Sequence, residues 1–199
     1  MSEKSVFQLV LGDDWDRLGS IIRRHYFLKP KSVDYICVSG KMSQIHHSNV
    51  AKLLIPFGLL FGALVPYRGK DIAVDVHYTS KPNNGNLYWD RVFKFRRGDF
   101  HFKSYMEPVK QGEVIEFVRF GIGIRLNVSA EQGALVFRDV GYIWRVLGCD
   151  IPIPGRWLMG KVYVEERPID ERFFSMKMTL EHPLLGALFT YRGVFELNQ

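Results

Sequence analysis

From Asp71 onward the chain repeats with a period of two, and no other feature restricts its fold as much. Ile72, Val74 and Val76 alternate with other residues, as a strand with one buried face requires. Lys81-Pro82-Asn83-Asn84-Gly85-Asn86 reads as a turn, and residues 87–96 then place Trp89, Arg91, Phe93 and Phe95 on one face. Arg97-Gly98-Asp99 turns into residues 100–107, and Gly112, Gly121, Gln132-Gly133 and Gly148 punctuate strands over residues 114–119, 122–129 and 134–147. Ile151-Pro152-Ile153-Pro154-Gly155 interrupts the ladder, residues 156–159 suit one turn of helix, and three last strands are expected over residues 161–167, 173–180 and 188–197. Strands spaced about ten residues apart and joined by short turns form an antiparallel meander. About nine to ten such strands rarely stay flat, so the meander should curl into an open or closed barrel. Fifteen Phe, nine Tyr and four Trp favour a strand-rich core or an aromatic-lined pocket.

The first part of the chain reads differently. Residues 6–28 have helical spacing broken near Gly12: Asp13 or Asp14 can cap, Trp15, Leu18, Ile21, Ile22, His25 and Tyr26 share one side, and Arg17, Arg23 and Arg24 take the other. Residues 33–43 alternate well enough for a strand. Residues 53–65 form the longest apolar run, thirteen residues without a polar side chain, entered through Ser48-Asn49 and left through Pro66-Tyr67-Arg68-Gly69. As a helix this run covers ~20 Å, against the ~30 Å of a bilayer core, so it does not span. Its plain reading is a core helix with Gly58 and Gly62 letting backbones approach. The alternative is a lid or interfacial helix between basic flanks, with His46, His47 and Lys52 before it and Arg68 and Lys70 after it. The expected class is α+β, mainly β: one domain over residues 1–199, a curved meander or barrel with one N-terminal helix and one apolar helix across a face or mouth.

The chain has 199 residues and a net charge of +6 with a pI near 9.3, a balance that favours anionic partners such as phospholipid headgroups or acidic metabolites. Its charges are scattered and the densest knots, Arg23-Arg24 and Arg96-Arg97, are pairs, so a nucleic-acid stripe is not expected. Peripheral contact with an anionic membrane is. Cys37 and Cys149 belong to no CxxC pair, which fits a reducing compartment and leaves a disulfide between the two open. The Met-Ser-Glu-Lys-Ser-Val-Phe start has no basic region followed by an apolar core, so the expected location is the cytoplasm.

Chemistry-bearing residues are sparse. Arg91 shares its face with three aromatics, and if that face is inward the guanidinium needs an internal anion; Glu116, Asp139 and Glu166, at alternating positions of later strands, are the candidates. Two converging carboxylates would also suit general acid/base work. Met176 and Met178 share a face with Phe174 and Leu180, as core or as an adaptable lining for an apolar ligand. The adjacent His46 and His47 face opposite ways on a strand, against joint metal ligation, and His182 before Pro183 suits a hydrogen-bonded turn. Ser39-Gly40-Lys41 and Gly121-Ile122-Gly123 read as turns or bulges rather than phosphate cradles. No metal or cofactor is expected.

Trp89-Asp90-Arg91-Val92-Phe93, Phe102-Lys103-Ser104, Ile151-Pro152-Ile153-Pro154, His182-Pro183-Leu184-Leu185-Gly186 and Tyr191-Arg192-Gly193, with an opening Leu-Gly-Asp-Asp-Trp-Asp-Arg-Leu segment, resemble a bacterial domain-of-unknown-function family, number 4166. The resemblance implies a domain that stands alone or follows a dinucleotide-binding domain similar to saccharopine dehydrogenase. Nothing like GxGxxG is present in this sequence, so a fused oxidoreductase role does not carry over. The expected function is a module binding an apolar or amphipathic, lipid-like molecule inside the barrel, with Trp89, Arg91, Phe93, Glu116, Glu166, Met176 and Tyr191 as the candidate binding set. Two alternatives stand beside it: an enzyme using Glu116, Glu166 or His182 on a small carbonyl or ester substrate, and an interaction domain docking through its apolar helix.

Overall fold

The structure, a computed structural model, describes residues 4–62 and 64–198 and leaves aside the side chains of Leu53 and Phe57; expectations placed on Leu53, Phe57 and Ala63 therefore lie outside the described residues. Eleven strands run in chain order: β1 Tyr35–His47, β2 Ile72–Lys81, β3 Asn84–Phe95, β4 Gly98–Lys110, β5 Glu113–Phe117, β6 Ile122–Glu131, β7 Ala134–Val146, β8 Cys149–Ile153, β9 Lys161–Pro168, β10 Phe173–His182 and β11 Gly186–Leu197. Each pairs antiparallel with its chain neighbour, except that β7 passes over β8 to pair with β9, and β1 pairs with β11. Ten strands thus form a closed up-and-down barrel, the expected mainly-β class, and β8 is an eleventh strand outside the ring.

Ile151, Pro152 and Ile153 of the expected break belong to β8, and Pro154 and Gly155 lead into a short helix. Tyr142 to Val146 of β7 bond to it while Leu135 to Arg138 bond to β9, so one long strand serves two partners at different heights. Alternation sets the wall: in β10, Phe174, Met176, Met178 and Leu180 line the interior, while Ser175, Lys177, Thr179 and Glu181 occupy the alternate positions. Register shifts at Met42/Gln44, Arg125/Leu126 and Leu180/Glu181 increase local twist and help the sheet curve to closure.

The N-terminal segment closes one end of the barrel. In place of one broken helix it forms three short pieces: α1 Val6–Leu11, a 3-10 segment Gly12–Arg17 and α2 Ser20–His25. Ser5 and Gln8 make a reciprocal capping box at the start of α1, and Gly12, at φ 56°, ends it. Gly19 permits the next change of direction, because a Cβ there would lie 2.6 Å from Pro168 Cγ, while its N–H donates to the Gly133 carbonyl at 2.9 Å. The pieces are short because each must bury its apolar side in the barrel end. Phe7 reaches Phe137 at 5.7 Å between ring centroids, and Tyr26 meets Tyr78 and Trp89 at 5.4 and 5.8 Å.

The opposite end carries α3 Ala51–Phe61 and α4 Gly155–Leu158, together with the β3–β4, β5–β6, β7–β8 and β10–β11 turns. Ser48 Oγ accepts from the Ala51 N–H at 3.1 Å, but the cap position of α3 is Val50, one residue past the expected Ser48-Asn49, and it supplies no side-chain bond. The helix is shorter than the apolar run because Gly62 takes the left-handed conformation at φ 65° and ends it. Pro56 lies inside α3 and costs it one intrahelical hydrogen bond. Gly58 packs directly against Leu64, so any Cβ there displaces that side chain. No helix among the described residues is long and apolar enough to cross a membrane.

Candidate functional site

Between the N-terminal pieces and α3 the barrel encloses a cavity of about 420 Å³, within the range of small-molecule sites. Inward residues of the wall line it, and Leu54, Gly58 and Phe61, spaced along one face of α3, roof it together with Leu158 of α4 and Met159 just after it. Leaving the interior unfilled is consistent with ten strands, since eight already suffice to hold packed side chains or one small ligand. The structure brings Trp89, Arg91, Phe93, Glu116, Glu166, Met176 and Tyr191 together on this wall.

Arg91 is the internal cation that its aromatic neighbours implied. Its Nη2 donates to Glu116 Oε1 at 2.9 Å and its Nη1 to Ser104 Oγ at 3.1 Å; Ser104 Oγ donates to the same Glu116 oxygen at 2.7 Å. The guanidinium carbon lies 4.1 Å from the Trp89 ring centroid and 4.8 Å from that of Phe102, a stacked geometry that suits arginine. Burial works against its charge, yet the Glu116 carboxylate holds its pKa above the usual arginine value. Burial also pushes the Tyr191 hydroxyl up to about 12, with Arg91 pulling it down and Glu116 pushing it up.

The other two carboxylates have different partners. Asp139, with its carboxylate fully buried, takes Arg156 Nε at 3.1 and 3.2 Å, and burial raises its pKa against the pull of that arginine. Glu166 sits toward the closed end, where His25 Nε2 approaches its Oε2 at 3.2 Å and His25 Nδ1 approaches the Ile21 carbonyl at 3.1 Å. His25 stacks on Phe174 with ring centroids 4.5 Å apart. Sequence reasoning placed His25 on an apolar helical side and overlooked Ser104. The available signal was a polar residue on the inner face of β4, between the buried Phe102 and Met106.

Three buried polar atoms at this end, the Trp89 indole N–H, the Tyr26 hydroxyl and Arg23 Nε, have no hydrogen-bond partner among the described residues. Burial, the nearby Glu166 charge and the Tyr78 hydroxyl raise the Tyr26 pKa. An unpaired buried donor costs about 1–3 kcal/mol; the Trp89 ring lines the cavity, but its N–H is buried within the wall.

His182 holds a turn, as its place before Pro183 suggested: the Leu184 N–H donates to its Nδ1 at 3.2 Å and its Nε2 lies 2.7 Å from the Trp157 carbonyl. That ties the β10–β11 turn to α4 and leaves His182 off the cavity wall. His46 and His47 do point opposite ways, exposed and buried respectively. Cys37 and Cys149 are both free thiols.

His47 makes a testable pH contribution. Burial, then Arg68, then His46 lower its pKa from 6.5 to about 4, with the Val65 carbonyl opposing. The unfolded chain therefore takes up the proton first, so this contribution is full above about pH 6.5 and is lost as pH falls toward about 4. Urea denaturation should show the wild type losing on the order of 2–3 kcal/mol more than His47→Gln over that window. Parallel curves for the two proteins would remove His47 as the source.

A family model described as "Domain of unknown function (DUF4166)" matches residues 18–195. A curated relative, the uncharacterized protein YndH of Bacillus subtilis (strain 168), is 27% identical over 171 residues, covering 79% of this chain and 81% of that one. Among solved structures, the crystal structure of Rv2717c from M. tuberculosis aligns at 10% identity with a TM-score of 0.45, covering 82% of this chain and 91% of that chain; a likeness of that degree carries no argument about function.

Proposed function

The chain belongs to the DUF4166 family, a domain of unknown function, and from its own cavity we propose that it is a small-molecule-binding module holding an apolar or amphipathic ligand inside the barrel. The observation that carries the reading is an apolar-walled space of about 420 Å³ inside the barrel. Apolar walls supply affinity through burial. Arg91 does not act as a free cationic anchor, because Glu116 neutralises it; the pair offers hydrogen-bonding edges to a polar group instead. The favoured ligand is thus a long or ring-shaped apolar molecule, with any polar group directed toward the Arg91–Glu116 pair.

Native mass spectrometry and solvent extraction of the purified protein should recover such a molecule, and the emptied protein should take up the amphipathic dye anilinonaphthalene sulfonate with saturable fluorescence. Met176→Trp should weaken uptake by narrowing the cavity, at a stability cost of about 1–3 kcal/mol. Recovery of nothing, with dye uptake unchanged by Met176→Trp, would refute the reading.

A second reading, an enzyme for a small carbonyl or ester substrate, rests on the buried His25–Glu166 contact at 3.2 Å. A histidine and a carboxylate at hydrogen-bond distance suit general acid/base catalysis. His25 does not line the cavity and Glu166 does, so Glu166 would face the substrate and His25 would orient it. Hydrolysis of p-nitrophenyl esters that falls to background in Glu166→Gln would support this reading, and activity unaffected by that change would exclude it.

A further inference from the structure

We propose that the α3/α4 end of the barrel is a docking surface for an anionic lipid bilayer, with apolar turn tips entering the headgroup region and a basic flank taking lipid phosphates. Large apolar side chains stand exposed around this end: Leu60 on α3, Phe120 between β5 and β6, Leu147 between β7 and β8, Trp157 and Leu158 on α4, and Leu184 between β10 and β11. Leu147 is 99% exposed, Leu184 79% and Trp157 68%. Phe120 and Leu147 also adopt left-handed backbone at φ 58° and 50°, an unfavourable conformation for bulky side chains. Placing such residues at solvent-facing tips incurs both strain and apolar exposure unless a partner receives them.

The charge on the remaining side favours a bilayer as that partner. Lys52, at the start of α3, and Arg68, Arg96 and Arg97 line one hollow that contains no acidic residue among those described. Arg68 is oriented by donating to the His47 carbonyl. The nearby Asp99 is engaged by Lys94, and Asp150 by Arg145. Basic clusters beside apolar tips match anionic headgroups above hydrocarbon. Separate knuckles around a ring suit a deformable interface, whereas a folded protein partner would need a matching hole for each. Two copies meeting at this end would bring their basic hollows together and repel. The barrel's side is a poor lipid-facing surface, since Lys177, Arg192 and Glu196 stand on it. Docking by this end would also set the roof of the cavity against the membrane, but the inference does not depend on the cavity being loaded.

The test is cosedimentation of the full chain with phosphatidylcholine vesicles, with and without phosphatidylserine, at low and high salt. The expected result is binding to the mixed vesicles at low salt, weakened at high salt, with a blue shift of tryptophan emission that Trp157→Phe largely removes. Arg96→Gln with Arg97→Gln should lower partitioning roughly thirtyfold, and Leu147→Ser with Leu184→Ser roughly tenfold or more. Lys177→Gln with Arg192→Gln, the same charge change on the barrel side, should leave it unchanged; wild-type melting of all variants excludes misfolding. Absence of binding at low salt, equal loss in the barrel-side variant, titration by inorganic phosphate without vesicle association, or a dimer that buries the tips would each overturn the proposal. Failure here with dye uptake intact would leave the cavity reading standing, and the reverse result would leave this one standing.

Discussion

Arg91→Ala is expected to destabilise the protein by about 3–5 kcal/mol, visible as a fall in melting temperature of roughly 10 °C or more. Two effects add. The change removes a guanidinium packed on Trp89 and Phe102, and it strands the Glu116 carboxylate, whose remaining side-chain partner is Ser104. Arg91→Met keeps the bulk and still strands Glu116, so it should recover only part of the loss. Arg91→Met combined with Glu116→Leu should recover most of it, because exchanging a whole buried pair for apolar residues of similar volume is often neutral or better. An Arg91→Ala protein melting within about 2 °C of wild type would show that the pair carries no structural weight and is free to serve a ligand instead.

His25→Ala should cost a similar amount, about 3–5 kcal/mol. The imidazole is fully buried, stacks on Phe174, meets Tyr26 at a tilt, and supplies a hydrogen-bond partner of Glu166 beneath the N-terminal pieces. Its removal leaves both a void and an unpaired polar group in the closed end of the barrel. Glu166→Gln, which can still bond to the ring, should be much milder. Urea denaturation of the two variants decides the matter: a far smaller cost for Glu166→Gln would mean that burial of the imidazole supplies most of the stability, and equal costs would mean that its bond to the Glu166 carboxylate does. Dye uptake that survives in His25→Ala at low temperature would place His25 in the plug and outside the binding wall.

The parts of this fold legible in sequence are those that local chemistry decides. Alternation every second residue, interrupted by Gly, Pro and Asn turns, was enough to place all ten barrel strands, because pleating sends neighbouring side chains to opposite faces wherever the strand lies. The same rule put Trp89, Arg91 and Phe93 on one face, and a buried arginine there demands an anion. The eleventh strand escaped because Pro152 and Pro154 read as a break. Proline is tolerated in a strand such as β8 that pairs on only one side.

What the tertiary structure decided is which distant groups meet. Val38 faces Leu197 across the β1–β11 pair, and nothing local to either segment announces that closure. Closure gives each inward residue its neighbours across the barrel, and so it selected Glu116 from three spaced carboxylates as the partner of Arg91, sent Asp139 to Arg156 and left Glu166 to His25 from the N-terminal plug. The apolar run at residues 53–65 could be read alone as core or as lid. It roofs the cavity with one face and exposes Leu59 and Leu60 on another, because Gly62 ends α3 at the rim of the barrel. The gathering of Phe120, Leu147, Trp157 and Leu184 at one end follows from the up-and-down path, which returns every second turn to the same rim. Periodicity determines which way a side chain points, and only the closed sheet determines what it points at.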